Sequence, residues 1–272
     1  DEGNTLLLEV MDYFFYNSID EVNAKAAEPI LRDEHDFIVV YNGNYDSRMH
    51  KVGPEGYEAL AELRCNSRAY GTFDEHKNPH YWDTDGVRHD PKVWSVGHET
   101  DKAIEFLRNH NGERKKDAPF FLTIAYNPPH SPYESLDDCM AEDYALYEDM
   151  GYSELYVRPN ADTTLTKADA ARYYFANVTG VDREFGRLLD ELKALGLDKN
   201  TIVVFTSDHG ETMCSQGTYD PKNSIYTESF NVPFLIRYPE KIRPRVDSTL
   251  LSTVDIMPTL LSMAGLEESI PE

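Results

Sequence analysis

Four short apolar runs stand out along the chain, separated by long stretches in which apolar residues recur at helical spacing. Uninterrupted runs rich in β-branched and aromatic residues are typical of strands that are buried on both faces of a sheet. The sequence therefore predicts four buried strands. They cover Phe37–Tyr41, Phe120–Tyr126, Ile202–Thr206 and Phe234–Arg237.

Apolar positions three and four residues apart predict helices between and around these strands. The longest pattern ends just before Gly196, and the last one ends before Gly265, where glycine can cap a helix in the left-handed conformation. The predicted helices are Ile19–Leu31, Glu55–Leu63, His98–Asn109, Lys167–Leu195 and Val254–Ala264.

Buried strands that alternate with helices indicate an α/β fold, with a mostly parallel sheet and helices on both of its faces. We expect residues 1–272 to form a single domain of this class. Segments 77–97 and 132–166 are rich in Asp, Pro, Tyr and Gly and are predicted to be long loops or insertions. In such folds, sites lie beyond the carboxyl ends of the strands.

Charge and cysteine content limit the possible partners. The formal net charge of −23 over 272 residues argues against nucleic acid and anionic membranes. An anionic substrate would need a metal or local basic residues to reverse the field at the site. Three cysteines without CxxC spacing indicate neither a disulfide framework nor a zinc ribbon, and no apolar stretch is long enough for a membrane helix. Because the chain begins at Asp1 rather than Met, a removed leader or a cropped sequence stays open.

Polar clusters follow the predicted strands. Asp46 and His50 come after the first strand at a spacing that places both side chains on one face of a helical turn, where they could share a metal ion. A loop Asp and a surface His would give the same pattern. His130 follows the second strand and lies between prolines, which would hold it in a rigid turn. Such a turn suits a general acid or a hydrogen-bond donor that binds an anion. The alternative is a proline-rich loop with an incidental His.

The third strand ends in Ser-Asp-His-Gly. Asp208 and His209 could coordinate one divalent cation, while the alternative is an N-capping Asp beside an exposed His. Gly210 would let the backbone turn sharply next to them. Lys222 lies in the loop before the fourth strand, where it could hold an anionic oxygen or simply be solvated.

Taken together, four motifs resemble the sulfatases of the alkaline phosphatase superfamily. They are FFLTIAYNPPHSPY, TIVVFTSDHGE, KNSIYTESFNVPFLIRYP and STVDIMPTLLSMAGL, in that order, and the resemblance covers residues 80–272. It implies an alkaline phosphatase-like fold and hydrolysis of a small sulfate ester, either an aryl or a carbohydrate sulfate, without nucleic acid or a membrane span. Members of the family are often exported, which favours a periplasmic or secreted location, but no signal peptide is visible and the compartment stays open. Neither the sequence nor the resemblance indicates an oligomeric state.

The resemblance assigns roles to four residues. Asp208 and His209 match paired ligands of a divalent metal, usually calcium, with manganese or zinc as alternatives. His130 matches the histidine that contacts the sulfate or protonates the leaving oxygen. Lys222 matches the lysine that contacts the sulfate.

The amino-terminal third departs from the sulfatase pattern. The family uses a formylglycine made from Cys or Ser in a Cys-x-Pro-Ser-Arg motif, and no matching motif is found. The nearest stretch, LRCNSRAYG, contains Cys65 but lacks the proline and follows a predicted helix, so a thiol on a helix is the favoured interpretation. An Asp pair at a first strand is also absent. The usual amino-terminal part of the fold is therefore expected to be missing, leaving an incomplete domain.

Residues 36–54 resemble a different branch of the superfamily. The stretch DFIVVYNGNYDSRMHKVGP is similar to a metal-binding element of phosphodiesterases and phosphatases, with Asp46 and His50 as the ligands. Two alternatives to the sulfatase follow. One is a two-metal phosphodiesterase, phosphonate hydrolase or phosphatase. The other is a catalytically silent domain that keeps the fold without a nucleophile.

Overall fold

The computed structural model places most of the carboxyl-terminal two thirds of the chain. It describes residues 6–10, 36–42, 70–72, 75–82, 87–110, 112, 114, 119–219 and 221–270. The predicted helices Ile19–Leu31 and Glu55–Leu63 lie outside the described residues. So do Asp46, His50 and Cys65, whose roles therefore stay predictions.

The described strands form two sheets. The larger sheet has six strands in the order β6-β2-β7-β8-β1-β9, and the smaller has three in the order β3-β4-β5. The four predicted strands correspond to β2, β6, β7 and β8. The strands are β1 Leu6–Val10, β2 Asp36–Asn42, β3 Tyr70–Thr72, β4 Glu75–Trp82, β5 Arg88–His89, β6 Phe121–Ala125, β7 Thr201–Ser207, β8 Val232–Arg237 and β9 Arg245–Leu251.

Two long helices and several short ones accompany the sheets. The α-helices are α1 Ser95–Arg108, α2 Ala141–Tyr144, α3 Tyr152–Leu155, α4 Ala171–Ala194, α5 Thr227–Phe230 and α6 Thr253–Met263. A 3₁₀ turn, Thr166–Ala170, leads into α4, and another, Glu267–Ser269, follows α6. Gly196 and Gly265 follow α4 and α6 with φ of 70° and 79°, so both predicted glycine caps are confirmed.

The large sheet is mixed rather than uniformly parallel. Strand β2 pairs in parallel with both β6 and β7, and β1 pairs in parallel with β9. Strand β8 runs antiparallel to both of its neighbours, β7 and β1. Its register sets Val203 opposite Arg237 and Thr206 opposite Phe234, so β8 begins where β7 ends. The α/β class is confirmed, and the reversal of β8 has a direct consequence for the site.

Both faces of the sheet are covered, as predicted. Consecutive residues of a strand point to opposite faces. Ile202 and Val204 of β7 therefore pack in one core with β8 and α6, while Val203 packs in the other with α1, β6 and α4. Each core is dense in fully buried aliphatic side chains, which contribute about 1.5–3 kcal/mol each on burial. The buried partners of Val203 include Leu107, Leu122, Ile124, Leu188 and Leu192.

The structure corrects the start of one predicted helix and the extent of one predicted loop. Helix α1 begins at Ser95 rather than His98, because Ser95 and Val96 are already buried against the core. Segment 77–97 is not one loop, since β4, β5 and the start of α1 lie within it. By contrast, segment 132–166 is irregular apart from the single-turn helices α2 and α3 and the start of the 3₁₀ turn. Across the described part of the chain, no helix combines the length and apolar character needed to cross a membrane.

A buried carboxyl lies in the middle of α1. Glu99 is 7% exposed, and no described residue forms a hydrogen bond with its Oε2 atom. Burial raises the pKa of Glu99 well above its ordinary value, because water no longer solvates the charged form. Its neighbour Thr100 is satisfied by a 2.7 Å hydrogen bond to the buried Tyr126 hydroxyl. Glu99 is thus the polar group of α1 whose burial depends on its being neutral.

Glu99 predicts a pH dependence of stability. A carboxyl with a raised folded-state pKa stabilises the fold below its unfolded pKa, and that contribution is lost as the pH rises through the folded pKa. Each pH unit within that interval costs about 1.4 kcal/mol. We expect the free energy of unfolding of Glu99→Gln, measured by urea titration between pH 5 and 8, to fall less with pH than that of the parent chain.

The matched control is Glu240→Gln, which neutralises an exposed carboxyl just after β8. Its curve of unfolding free energy against pH is expected to run parallel to that of the parent. Parallel curves for the parent and Glu99→Gln would contradict the assignment.

Candidate active site

Three loops meet at one edge of the large sheet. Strands β6 and β7 both run parallel to β2, so their carboxyl ends lie at the same edge. Because β8 is antiparallel to β7, the segment that precedes β8 reaches this edge as well. Two backbone hydrogen bonds join the segment after β7 to the segment before β8. They run from Gly210 N to Ser229 O (2.7 Å) and from Thr212 N to Pro221 O (2.8 Å). The loops that carry His130, Asp208 with His209, and Lys222 are thereby brought together.

His130 and Lys222 are in direct contact. Lys222 Nζ lies 3.0 Å from His130 Nε2, across 92 positions of sequence. His130 Nδ1 lies 2.8 Å from the carbonyl oxygen of Ser131, and a carbonyl can only accept, so Nδ1 carries the proton in the neutral ring. Nε2 then has a lone pair that accepts from the Lys222 ammonium. The structure therefore brings together these two predicted anion-binding residues, with a backbone carbonyl fixing the tautomer.

The Asp208–His209 pair is held by its own backbone. His209 N donates to Asp208 Oδ1 (2.9 Å), and Ser207 Oγ donates to the carbonyl oxygen of His209 (2.9 Å). His209 Nδ1 lies 2.8 Å from Gly210 O and donates to it, which leaves a lone pair on Nε2 of the neutral ring. That Nε2 atom is buried without a hydrogen-bond partner among the described residues and lies 3.5 Å from Asp208 Oδ2.

Two acceptor atoms that face each other at this distance repel unless a proton or a cation lies near them. A neutral imidazole nitrogen and a carboxylate oxygen are both ligands for divalent metals. The pair could thus contribute two ligands to one cation. Within the described residues, no group of three or more His, Cys, Asp and Glu side chains has the arrangement of a metal site. Asp46 and His50, the other predicted metal ligands, lie outside the described residues.

Gly210 is required by a close approach. A Cβ atom added there would lie 2.0 Å from the carbonyl oxygen of Glu228, and real Cβ atoms do not approach backbone so closely. The sequence predicts that Gly210 lets the backbone turn sharply, but Gly210 does not adopt a positive φ. Positive φ occurs further along the same loop, at Met213 (40°) and Cys214 (66°).

Several supporting residues were not predicted from the sequence. Glu228 is 8% exposed and is satisfied by Asn160 Nδ2 (2.8 Å) and Arg158 Nη1 (3.1 Å). Burial raises the pKa of Glu228, but hydrogen bonds from Asn160, Gln216 and Arg158 lower it further, so that its net pKa lies below the ordinary value. Glu211 is likewise satisfied by neighbours from other segments, which include Tyr133. The one available signal was position, since Glu211 follows the Asp-His-Gly sequence directly.

The part of the insertion near residue 160 supports the loop after β7. Asp162 N donates to Cys214 O (2.8 Å), and Gln216 N donates to Asn160 O (2.9 Å). These bonds hold the positive-φ residues of the loop, whose conformation would otherwise cost free energy. Residues 158–162 thus support the part of this loop that follows the Asp208–His209 pair.

Comparison with known proteins gives a consistent result. The sulfatase family model matches residues 65–266. An endo-4-O-sulfatase of Bacteroides thetaiotaomicron is 62% identical over 203 residues, which is 75% of this chain and 40% of that protein. An ulvan-active sulfatase of Formosa agariphila is 32% identical over 221 residues, which is 78% of this chain and 40% of that protein.

A solved structure described under the metabolism of multiple glycosaminoglycans by Bacteroides thetaiotaomicron superposes with a TM-score of 0.73 at 62% identity. The alignment covers 75% of this chain and 42% of that one. The matched part of the chain thus spans about 40% of the length of these curated relatives.

We expect Gly210→Ala to destabilise the chain and to separate the loops at the sheet edge. The new methyl group must push away the Glu228 carbonyl, and such overpacking costs about 1–3 kcal/mol. Thermal and urea unfolding would measure the loss.

Gly186→Ala is the matched control, because a Cβ at this position of α4 meets nothing within 4 Å. It is expected to be neutral or to stabilise the helix by up to about 1 kcal/mol. Equal stability of Gly210→Ala and the parent chain would contradict the close approach.

Proposed function

The chain belongs to the sulfatase family, and we propose that it hydrolyses sulfate esters at the sheet edge formed by the loops after β6 and β7 and before β8. The observation that carries the proposal is the 3.0 Å contact between Lys222 Nζ and His130 Nε2. It supports an anion site in which a cation and an imidazole can both contact the same sulfate group.

His130 and Lys222 have different tasks in this proposal. The Lys222 ammonium binds a sulfate oxygen and offsets the charge of the ester. When the S–O bond breaks, the leaving oxygen takes a proton, and His130 in its protonated form donates that proton from Nε2. With the Nδ1 proton held by the Ser131 carbonyl, Nε2 is the ring nitrogen that can face substrate. The reaction consumes one water and yields an alcohol and sulfate.

Asp208 and His209 are proposed to hold a divalent metal, which members of the family generally use together with formylglycine. The orphaned Nε2 atom of His209, 3.5 Å from Asp208 Oδ2, supports this assignment. The carboxylate oxygens of Asp208 favour calcium. The imidazole nitrogen of His209 is also a ligand for manganese and zinc, which are therefore the alternatives. When bound, the metal would neutralise negative charge on the transferred group. The two residues supply only part of a coordination sphere.

The substrate is proposed to be a sulfated carbohydrate, with 4-O-sulfate esters of glycosaminoglycans as the first class to test. Support comes from the 62% identity to a protein named as an endo-4-O-sulfatase. The net charge of −23 makes the approach of such a polyanion unfavourable over most of the surface. Lys222 and the proposed metal then supply the local positive field that would admit it.

Sulfate release from a 4-O-sulfated glycosaminoglycan disaccharide, with calcium or manganese present, tests the proposed function. We expect the parent chain to release sulfate, and Lys222→Ala and His130→Ala to slow release about 10²–10³-fold, as for other groups that stabilise or protonate the transition state. Sulfate is measured by ion chromatography, and an aryl sulfate is assayed beside the disaccharide to compare substrate classes.

Lys199→Ala removes an exposed lysine from the turn before β7 and serves as the control, with an expected rate equal to that of the parent. Full activity of Lys222→Ala would contradict the role of Lys222. No release by the parent with either metal would contradict hydrolysis by this chain.

Metal binding is tested separately by thermal unfolding. A metal that binds the folded chain stabilises it by about 2.7 kcal/mol at 100 times its Kd. We expect calcium or manganese to raise the Tm of the parent and of Asp182→Asn, an exposed change on α4, but not of Asp208→Asn. A Tm increase of the same size in Asp208→Asn would exclude Asp208 as a ligand.

A further inference from the structure

Glu211 connects the two loops of the candidate site. Its carboxylate is mostly buried, with 13% of the side chain exposed, two residues beyond His209. Oε2 accepts a hydrogen bond from the Tyr133 hydroxyl at 3.2 Å, and Oε1 accepts one from Met213 N at 3.1 Å. Lys167 Nζ lies 3.7 Å from Oε1. One side chain is therefore held from three separate segments.

Tyr133 brings the loop after β6 into this arrangement. It lies three residues beyond His130, and its ring packs edge-on against Tyr174 of α4 at 5.5 Å. Burial raises the pKa of the Tyr133 hydroxyl, and the charge of Glu211 raises it further, so the hydroxyl remains a donor. The hydrogen bond from Tyr133 to Glu211 is thus a direct link between the loop of His130 and the loop of Asp208 and His209.

Lys167 provides the compensating charge. Within the part of the chain that the structure describes, its Nζ atom is buried without a hydrogen-bond partner, and it forms an ion pair with Glu211. Two charged groups removed from water in this way are costly unless each stays near the other. Lys167 belongs to the 3₁₀ turn that leads into α4, so the ion pair fixes Glu211 to the rigid end of a long helix.

We propose that Glu211 is a positioning residue, which sets the distance between the His130–Lys222 pair and the Asp208–His209 pair. This inference rests on the function proposed above. Glu211 touches none of the reacting atoms. It acts by holding Tyr133 on one side and the turn at Met213 on the other. A misplacement of about 1 Å between groups that act on the same sulfate is enough to cost about 10²-fold in rate.

Kinetics of substituted chains test the proposal. Tyr133→Phe removes one hydroxyl and keeps the ring, Glu211→Ala removes every contact, and Glu211→Gln keeps polar contacts while losing the ion pair. We expect kcat to fall about 10- to 100-fold in Glu211→Ala, with KM changed less than about threefold, because the alignment is lost and the anion site remains. Glu211→Gln should recover part of the loss.

A double substitution shows whether Tyr133 and Glu211 act through their shared hydrogen bond or affect the rate independently. If the hydrogen bond is the link, Tyr133→Phe combined with Glu211→Ala should be no slower than Glu211→Ala alone. Multiplied losses would overturn the proposal, as would an unchanged kcat in Glu211→Ala. Glu134→Gln, an exposed carboxyl next to Tyr133, is the matched control and should behave as the parent.

Amide hydrogen exchange supplies a readout that does not require activity. Gly210 N–H is bonded to Ser229 O and His130 N–H to Asn127 O, so both report on the two loops. We expect exchange at both amides to accelerate about fivefold in Tyr133→Phe and in Glu211→Ala. Unchanged protection in both variants would overturn the link. If exchange is faster in the variants but the parent chain releases no sulfate, the link between the loops is supported and the proposed function is contradicted.

Discussion

The antiparallel pairing of β8 with β7 is the constraint on which the candidate site depends. The register that sets Thr206 opposite Phe234 returns the chain to the edge where β7 ends. If β8 ran parallel to β7, the segment before it would emerge at the opposite edge, about 20 Å away for a strand of this length. Lys222 could then not contact His130. A single reversal in an otherwise largely parallel arrangement thus brings the cation to the imidazole.

The strand interiors explain why all this chemistry is confined to one edge. Both faces of β7 are buried, so a charged side chain within the strand would be desolvated without compensation. Charged side chains therefore begin only after the strand ends, beyond Ser207. Beyond that point the chain satisfies them locally: backbone donors reach Asp208, and carbonyls fix the tautomers of His130 and His209. Among the described residues the exception is Nε2 of His209, whose lone pair beside Asp208 Oδ2 is suited to a metal ligand.

Sequence reasoning identified the parts of the fold that have a strong local signal. The central strands are continuous apolar runs, and α4 carries a long helical stripe that ends at Gly196. Strand β9 has no such signal, because most of its residues are exposed at the sheet edge. The contact between His130 and Lys222 joins residues 92 positions apart, so it depends on the direction of β8 and not on any local pattern. The role of Glu211 was hidden for the same reason, since Tyr133 and Lys167 reach it from other segments.

The hydrogen bonding at His130 also constrains the order of events in the proposed reaction. While Nε2 accepts a hydrogen bond from Lys222, it carries no proton that it could donate to a leaving oxygen. When a sulfate ester enters between the two residues, the Lys222 ammonium can donate to its negatively charged oxygens. Those oxygens then take the place of the Nε2 lone pair as the acceptor. Nε2 can then take up a proton from solvent, and the protonated ring can donate that proton to the leaving oxygen. In the proposed reaction, the 3.0 Å contact would be the arrangement before substrate binds, and the acid required for cleavage would form only when substrate separates the pair.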